Sequence, residues 1–166
     1  MGTAYNPADW SALFAAEVGA SAALAGLIFV AVSINLASIV ERANLVARSA
    51  EALFMLTGVL LTSTLCLAPA QAPATLGWEL IVVGAAIWAA ATLAQVRSAR
   101  KNPYVQRWMK LFHFLLTQCA VVPAVVCGIS MIAGRGGGLY WLLDGVVFSM
   151  IASLFDAWVL LIEILR

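Results

Sequence analysis

"EVGASAALAGLIFVAVSINL", Glu17 to Leu36, sets a carboxylate near one end and a carboxamide near the other of a run made almost wholly of small and aliphatic residues. Glu17 and Asn35 are 18 positions apart, about five turns of helix, so they share a face at a separation of about 27 Å along the axis. That distance matches the hydrocarbon core of a bilayer. The stretch predicts a membrane-spanning helix with one polar group close to each boundary.

The rest of the chain fits that solvent. Of its 166 residues, 64% are hydrophobic and only 10% charged, and a mean hydropathy of +1.00 is too apolar for a water-soluble domain. The charges fall in short clusters between long uncharged runs, the arrangement of loops that join transmembrane helices. A net charge of +1 gives no reason to expect nucleic acid as a partner. "MGTAYNPADW" at the start has no Lys or Arg and so lacks the basic region of a cleaved signal peptide; the first apolar run is read as a retained span. Met1-Gly2 does not make a myristoylation motif, because position 6 is Asn6 rather than Ser or Thr.

Cys66, Cys119 and Cys127 lie inside apolar runs, and three is an odd number, so no disulfide framework is implied. They read as small buried hydrophobes. With His113 the sole histidine, the spacing offers no metal signature, and neither metal nor cofactor is expected.

Apolar runs of the required length fall at about 11–39, 52–70, 78–93, 109–133 and 140–165, the third being the shortest. The breaks are "VERANLVARSAE", "PAQAPATLG", "QVRSARKNPYVQRWMK" and "GRGGG". An all-α, single-domain bundle of five transmembrane helices over 1–166 follows. With five spans, Arg42, Arg48, Arg97, Arg100, Lys101, Arg107, Lys110 and Arg166 fall on one side and Arg135 alone on the other. The positive-inside rule then puts the N-terminus outside and the C-terminus in the cytoplasm. Trp10, Trp78, Tyr140 and Trp141 mark outer ends, Tyr104 and Trp108 an inner one, while Trp88 and Trp158 lie deeper. Nothing is left over for a soluble catalytic or nucleotide-binding module, and no Ser/His/Asp or Cys/His constellation is organised for catalysis, so an enzyme is not expected.

On a helical projection of the first span, Glu17, Ser21, Ile28 and Asn35 share one face, and Gly19, Ala22, Ala23, Gly26 and Val30 another, small enough for a neighbouring backbone to approach closely. Glu17 lies roughly 10 Å inside Trp10, where a carboxylate must face protein or water. Arg135 as structural partner and a place in an ion path are the two readings. Asn35, near the inner boundary, suits a helix-to-helix hydrogen bond. In the fifth span Gly145, Ser149, Ala152, Asp156 and Glu163 form one small and polar stripe, with Gly145 and Ser149 as packing positions. Asp156 is ten residues from Arg166, roughly 15 Å of helix, and is the most costly residue in the chain. His113, Asn35, Glu51 and Gln118 share its approximate depth. Asp156 with His113 reads either as a proton or cation relay or as a polar clasp that fixes helix register. Thr57, Thr62, Ser63 and Thr64 are expected to bond back to their own helix carbonyls, Pro123 to kink its helix, and "GRGGG" to form a flexible outer hairpin.

"EVGASAALAGLIFVAVSINL" (17–36), "RSAEAL" (48–53) and "FDAWVLLIEILR" (155–166) resemble a family of small bacterial multi-spanning membrane proteins with a GASAALAGLIFVAVSINL-type first helix, over less than a third of the chain. The resemblance implies the bacterial cytoplasmic membrane and includes Glu17, Asn35, Arg48, Glu51, Asp156 and Glu163 in the family's recognisable segments. Some members are labelled modulators of a membrane-anchored protease. Two functions are therefore expected. One is a channel-like or transport protein for protons or small cations, working as a homo-oligomer, with Glu17, Asp156, His113 and Asn35 along its path. The other is a non-conducting accessory or regulatory subunit of a larger membrane complex.

Overall fold

The computed structural model describes residues 3–41, 43–101 and 107–164, and every regular element among them is helical. Two 3-10 turns, Thr3–Tyr5 and Pro7–Trp10, lead into α1 (Ser11–Ile34), followed by α2 (Leu36–Val40), α3 (Ala43–Cys66), α4 (Pro73–Lys101), α5 (Arg107–Ala133) and α6 (Tyr140–Ile164). Five of these, α1, α3, α4, α5 and α6, are long and apolar enough to cross a membrane.

Helix ends differ from the apolar runs where polar chemistry, rather than hydropathy, sets them. The run 11–39 is divided at Asn35, whose backbone leaves the helical region (φ −107°, ψ 19°) while its side chain donates to the Ala31 carbonyl at 2.9 Å, a local bond that competes with the backbone ladder. α3 begins at Ala43 rather than near 52, so Arg48, Ser49 and Glu51 sit on a helix and not in a loop. α4 is the longest helix, 29 residues: Pro73 opens it, where a missing N–H costs nothing, and it runs on past Leu93 into its basic end.

α3, α4, α5 and α6 close a four-helix ring in which each packs against the next and α6 returns to α3. α1 lies outside the ring, along α3. Glycines bring α4 and α5 together: a Cβ at Gly77 would come within 2.7 Å of the Gly128 carbonyl, and one at Gly128 within 2.5 Å of the Gly77 carbonyl. Gly145 does the same for α6, its Cβ position lying 3.1 Å from the Ala120 carbonyl of α5, and the Ser149 hydroxyl donates to that carbonyl at 3.3 Å. The α1 face that the sequence singles out for packing is turned away from the chain. Gly19, Ala22, Ala23 and Gly26 are exposed, with nothing within 4 Å of a Cβ at either glycine. Phe14, Glu17, Ser21 and Ile28 form the buried side instead.

At the end where α1 begins, the first turns are strapped across the α5–α6 connection. Leu139 N–H donates to the Ala4 carbonyl at 2.8 Å, Gly137 N–H to the Tyr5 hydroxyl at 3.2 Å, and Trp10 packs edge-on against Tyr140. "GRGGG" is thus a tied turn rather than a free hairpin. Gly138 has φ +56°, and a Cβ there would meet the Ala4 carbonyl at 2.1 Å, so only glycine fits the strap.

Gly128→Ala is expected to destabilise the protein by about 1–3 kcal/mol through overpacking, read by equilibrium unfolding in mixed micelles. Gly19→Ala and Gly26→Ala are expected to be neutral or stabilising by up to about 1 kcal/mol, as for glycine replaced in a helix interior. A loss at Gly19 equal to that at Gly128 would mean that another chain covers this face.

Candidate functional site

Four helices of the ring each contribute polar side chains to one buried cluster near the start of α3 and α5. Arg48 and Glu51 are one turn apart on α3, His113 and Thr117 one turn apart on α5, and pairs at these spacings share a face. Gln95 comes from the last third of α4, and Ser153 and Asp156 from α6. The Ser153 hydroxyl donates to the Ala52 carbonyl at 3.4 Å, fastening α6 to α3 less than one turn before Asp156.

Asp156 is fully buried, 0% exposed, and Glu51 only 3% exposed. His113 Nε2 lies 2.8 Å from Asp156 Oδ1, and Arg48 Nη1 reaches the same oxygen at 3.4 Å from a side chain that is a quarter exposed. On the other side of the imidazole, Nδ1 is 3.2 Å from Gln95 Nε2 and 3.8 Å from Glu51 Oε1. Glu51 Oε1 accepts from the Thr117 hydroxyl at 2.6 Å and from Gln95 Nε2, and Gln95 Nε2 also donates to Thr117 Oγ1 at 2.6 Å. The two hydrogens of Gln95 Nε2 are thus taken by Glu51 and Thr117, the Nε2–Oδ1 contact puts a hydrogen between His113 and Asp156, and Nδ1 faces Glu51.

The charge count is uneven. Two carboxylates face one guanidinium, so with a neutral ring the cluster carries one uncompensated negative charge in a low-dielectric interior, where such a charge is costly. Polar capacity is also unused: Asp156 Oδ2 and Gln95 Oε1 are buried without a hydrogen-bond partner among the described residues. The arrangement can accept one cation, whether a proton or a metal ion.

Glu17 belongs to a separate site. Its Oε2 accepts from the Ser63 hydroxyl at 2.8 Å, so its partner is Ser63 rather than Arg135, and Ser63 bonds across to α1 instead of back to its own helix. Thr62 and Thr64 do bond back, to the carbonyls of Gly58 and Leu60 at 2.8 and 2.7 Å. Glu51 and Ser63 are 12 residues apart on α3, about 18 Å, and the buried side chains of Met55, Leu56 and Val59 lie between them. A cavity of about 20 Å³ in that middle zone, lined in part by Met55, Val59, Thr62 and Ser149, has room for about one water. Glu17 and Asp156 are therefore not brought together within one chain.

His113 and Asp156 do meet, as their depths suggest, and Glu51 joins them. Asn35 stays with Ala31 at the α1–α2 break. Gln118 accepts from the Trp88 indole N–H at 2.7 Å, outside the cluster. Gln95 and Thr117 are the members that sequence reasoning passed over, and Arg48 entered there as a topology charge and within a segment of the family resemblance. The spacing of Thr117 from His113 was the available signal; nothing marked Gln95. The side chains of Arg100, Lys101, Arg107, Lys110 and Glu163, and residues Arg42, Tyr104 and Arg166 altogether, lie outside the described residues.

No protein family, curated protein or solved structure matches this chain.

Thr117→Val keeps the side-chain volume but removes the hydroxyl shared by Glu51 and Gln95. It is expected to cost about 1–3 kcal/mol, the desolvation penalty of a buried polar group left unpaired. Thr64→Val, which removes only an exposed bond to its own helix, is expected to change stability by no more than about 0.5 kcal/mol. Equilibrium unfolding of both variants checks the contrast.

Proposed function

We propose that the protein is a multi-pass protein of the bacterial cytoplasmic membrane, N-terminus outside, that handles protons or small cations at a station built from Glu51, His113 and Asp156. The observation that carries this reading is the fully buried Asp156, held in one cluster with Arg48, His113 and Glu51 where two carboxylates flank a titratable imidazole. An intramembrane carboxylate at that depth is functional by default, and a site with an uncompensated negative charge favours the arrival of a cation. Four helices meet at the station, so occupancy alters the attraction between α3, α4, α5 and α6 together.

The form described is closed. Met55, Leu56 and Val59 separate the station from Glu17 and Ser63, and conduction requires that zone to open or the path to run between subunits of a homo-oligomer. The exposed Gly19, Ala22, Ala23 and Gly26 face of α1 supports close contact with a second chain.

That same face favours a second reading, a non-conducting accessory subunit that docks on a larger membrane complex, with the buried cluster as a clasp between helices. Liposome flux separates the two. Purified protein is expected to pass protons or potassium above empty liposomes, with the flux falling at least tenfold in Asp156→Asn, which keeps an acceptor oxygen for His113 while removing the excess charge. Absence of flux across a range of pH and voltage would favour the accessory subunit. Flux unchanged in Asp156→Asn would remove the station from the path.

A further inference from the structure

The geometry points to Glu51, His113 and Asp156 as the ligands of a divalent first-row transition-metal ion of the zinc or manganese type. This rests on the reading of the cluster as a cation station and names the class of cation it selects.

One ligand atom from each of the three residues can be chosen so that all lie within 4.8 Å of one another. Metal bonds of about 2.0–2.2 Å bring tetrahedral ligands to about 3.3–3.6 Å apart, so closing on an ion takes a contraction of up to about 1.5 Å. The ligands stand on three different helices, α3, α5 and α6, and project inward, as His and carboxylate ligands do in metal-holding helix bundles. One imidazole and two carboxylates suit zinc or manganese, whereas an all-oxygen set would suit magnesium or calcium.

Two features of the cluster besides this spacing point to a ligand. Asp156 Oδ2 is buried on a fully buried side chain with no partner among the described residues, and Gln95 Oε1, across the imidazole from it, is likewise buried and unpaired on a half-buried side chain. Each is an oxygen removed from water with a lone pair unspent. The surroundings of the ring are also those of a metal-bound imidazole. The imidazole stands between the two carboxylates, Nε2 2.8 Å from Asp156 and Nδ1 3.8 Å from Glu51, so either nitrogen has a carboxylate ligand on its own side. Arg48 is then a competitor. It holds Asp156 Oδ1 at only 3.4 Å from a partly exposed position, and a dication entering between the carboxylates displaces it.

The test uses the full-length protein in nanodiscs, stripped with a chelator and equilibrated with Zn²⁺ or Mn²⁺, with bound metal per chain measured after gel filtration. The expected result is about one ion per chain. Affinity should fall at least tenfold in Glu51→Gln, His113→Gln and Asp156→Asn, stay unchanged in Glu17→Gln, and rise in Arg48→Gln as the competing charge goes. Co²⁺ bound to the wild type should show a d–d absorption band that disappears in His113→Gln, a readout that helix clasping alone would not produce. Folded wild type that binds no stoichiometric metal overturns the proposal, even if every variant were misfolded, and so does binding indifferent to all three ligand changes. Proton flux measured in metal-free liposomes tests the parent reading separately: flux without metal binding leaves a proton station and no metal site, while metal binding without flux leaves a metal site in a non-conducting protein.

Discussion

The structure depends on how one carboxylate is kept inside an apolar bundle. Asp156 has no water to solvate it, so its oxygen is held by His113 from α5 and Arg48 from α3, and these in turn require Glu51, Gln95 and Thr117 to complete the imidazole's other side. A charge in hydrocarbon is expensive enough to dictate which helices must be neighbours. α3, α4, α5 and α6 all contribute, and these are the four that form the closed ring. α1 contributes nothing to this cluster and is the helix that lies outside.

The two halves of the ring are held by different physics. Around Asp156 the helices are joined by directional polar contacts that fix rotation and register. Towards the strap they are joined by shape: Gly77 against Gly128, Gly145 against Ala120, and a packed group that includes Phe14, Leu76, Leu80, Cys127 and Leu142. In lipid, close backbone approach replaces the hydrophobic driving force that would hold such helices together in water. Between the two lie the buried side chains of Met55, Leu56 and Val59 and a cavity with room for about one water, which keep the Glu17–Ser63 pair and the Asp156 cluster apart.

Hydropathy made the five long helices legible, because a bilayer demands about 20 apolar residues from each, and position along the spans set His113 level with Asp156 without showing that the two touch. What hydropathy could not show is where a helix continues past the apolar core. The first turns of α3 read as loop because they carry Arg48 and Glu51, yet their charges are spent on Asp156 and His113 rather than on water. Thr117 was hidden for a related reason, since a single uncharged polar residue in a span looks like any other until its neighbours are known, and Gln95 read as the first residue of a basic loop. The small face of α1 was readable as a packing surface but not as one unused inside the chain, since which side of a helix meets its neighbours depends on helix order. The Gly77–Gly128 contact pairs residues 51 positions apart and has no local signature at all.

The strap gives the chain a particular order of assembly. Ala4 is bonded to Leu139, 135 positions further on, so this segment finds its partner only when the α5–α6 connection has been made. Domains made vectorially from the N-terminus usually settle in the order they emerge, but here the opening segment must stay uncommitted while α3, α4 and α5 enter the membrane. Its closure over the α5–α6 turn then follows α5, and ties the start of α1 to the connection that leads into α6.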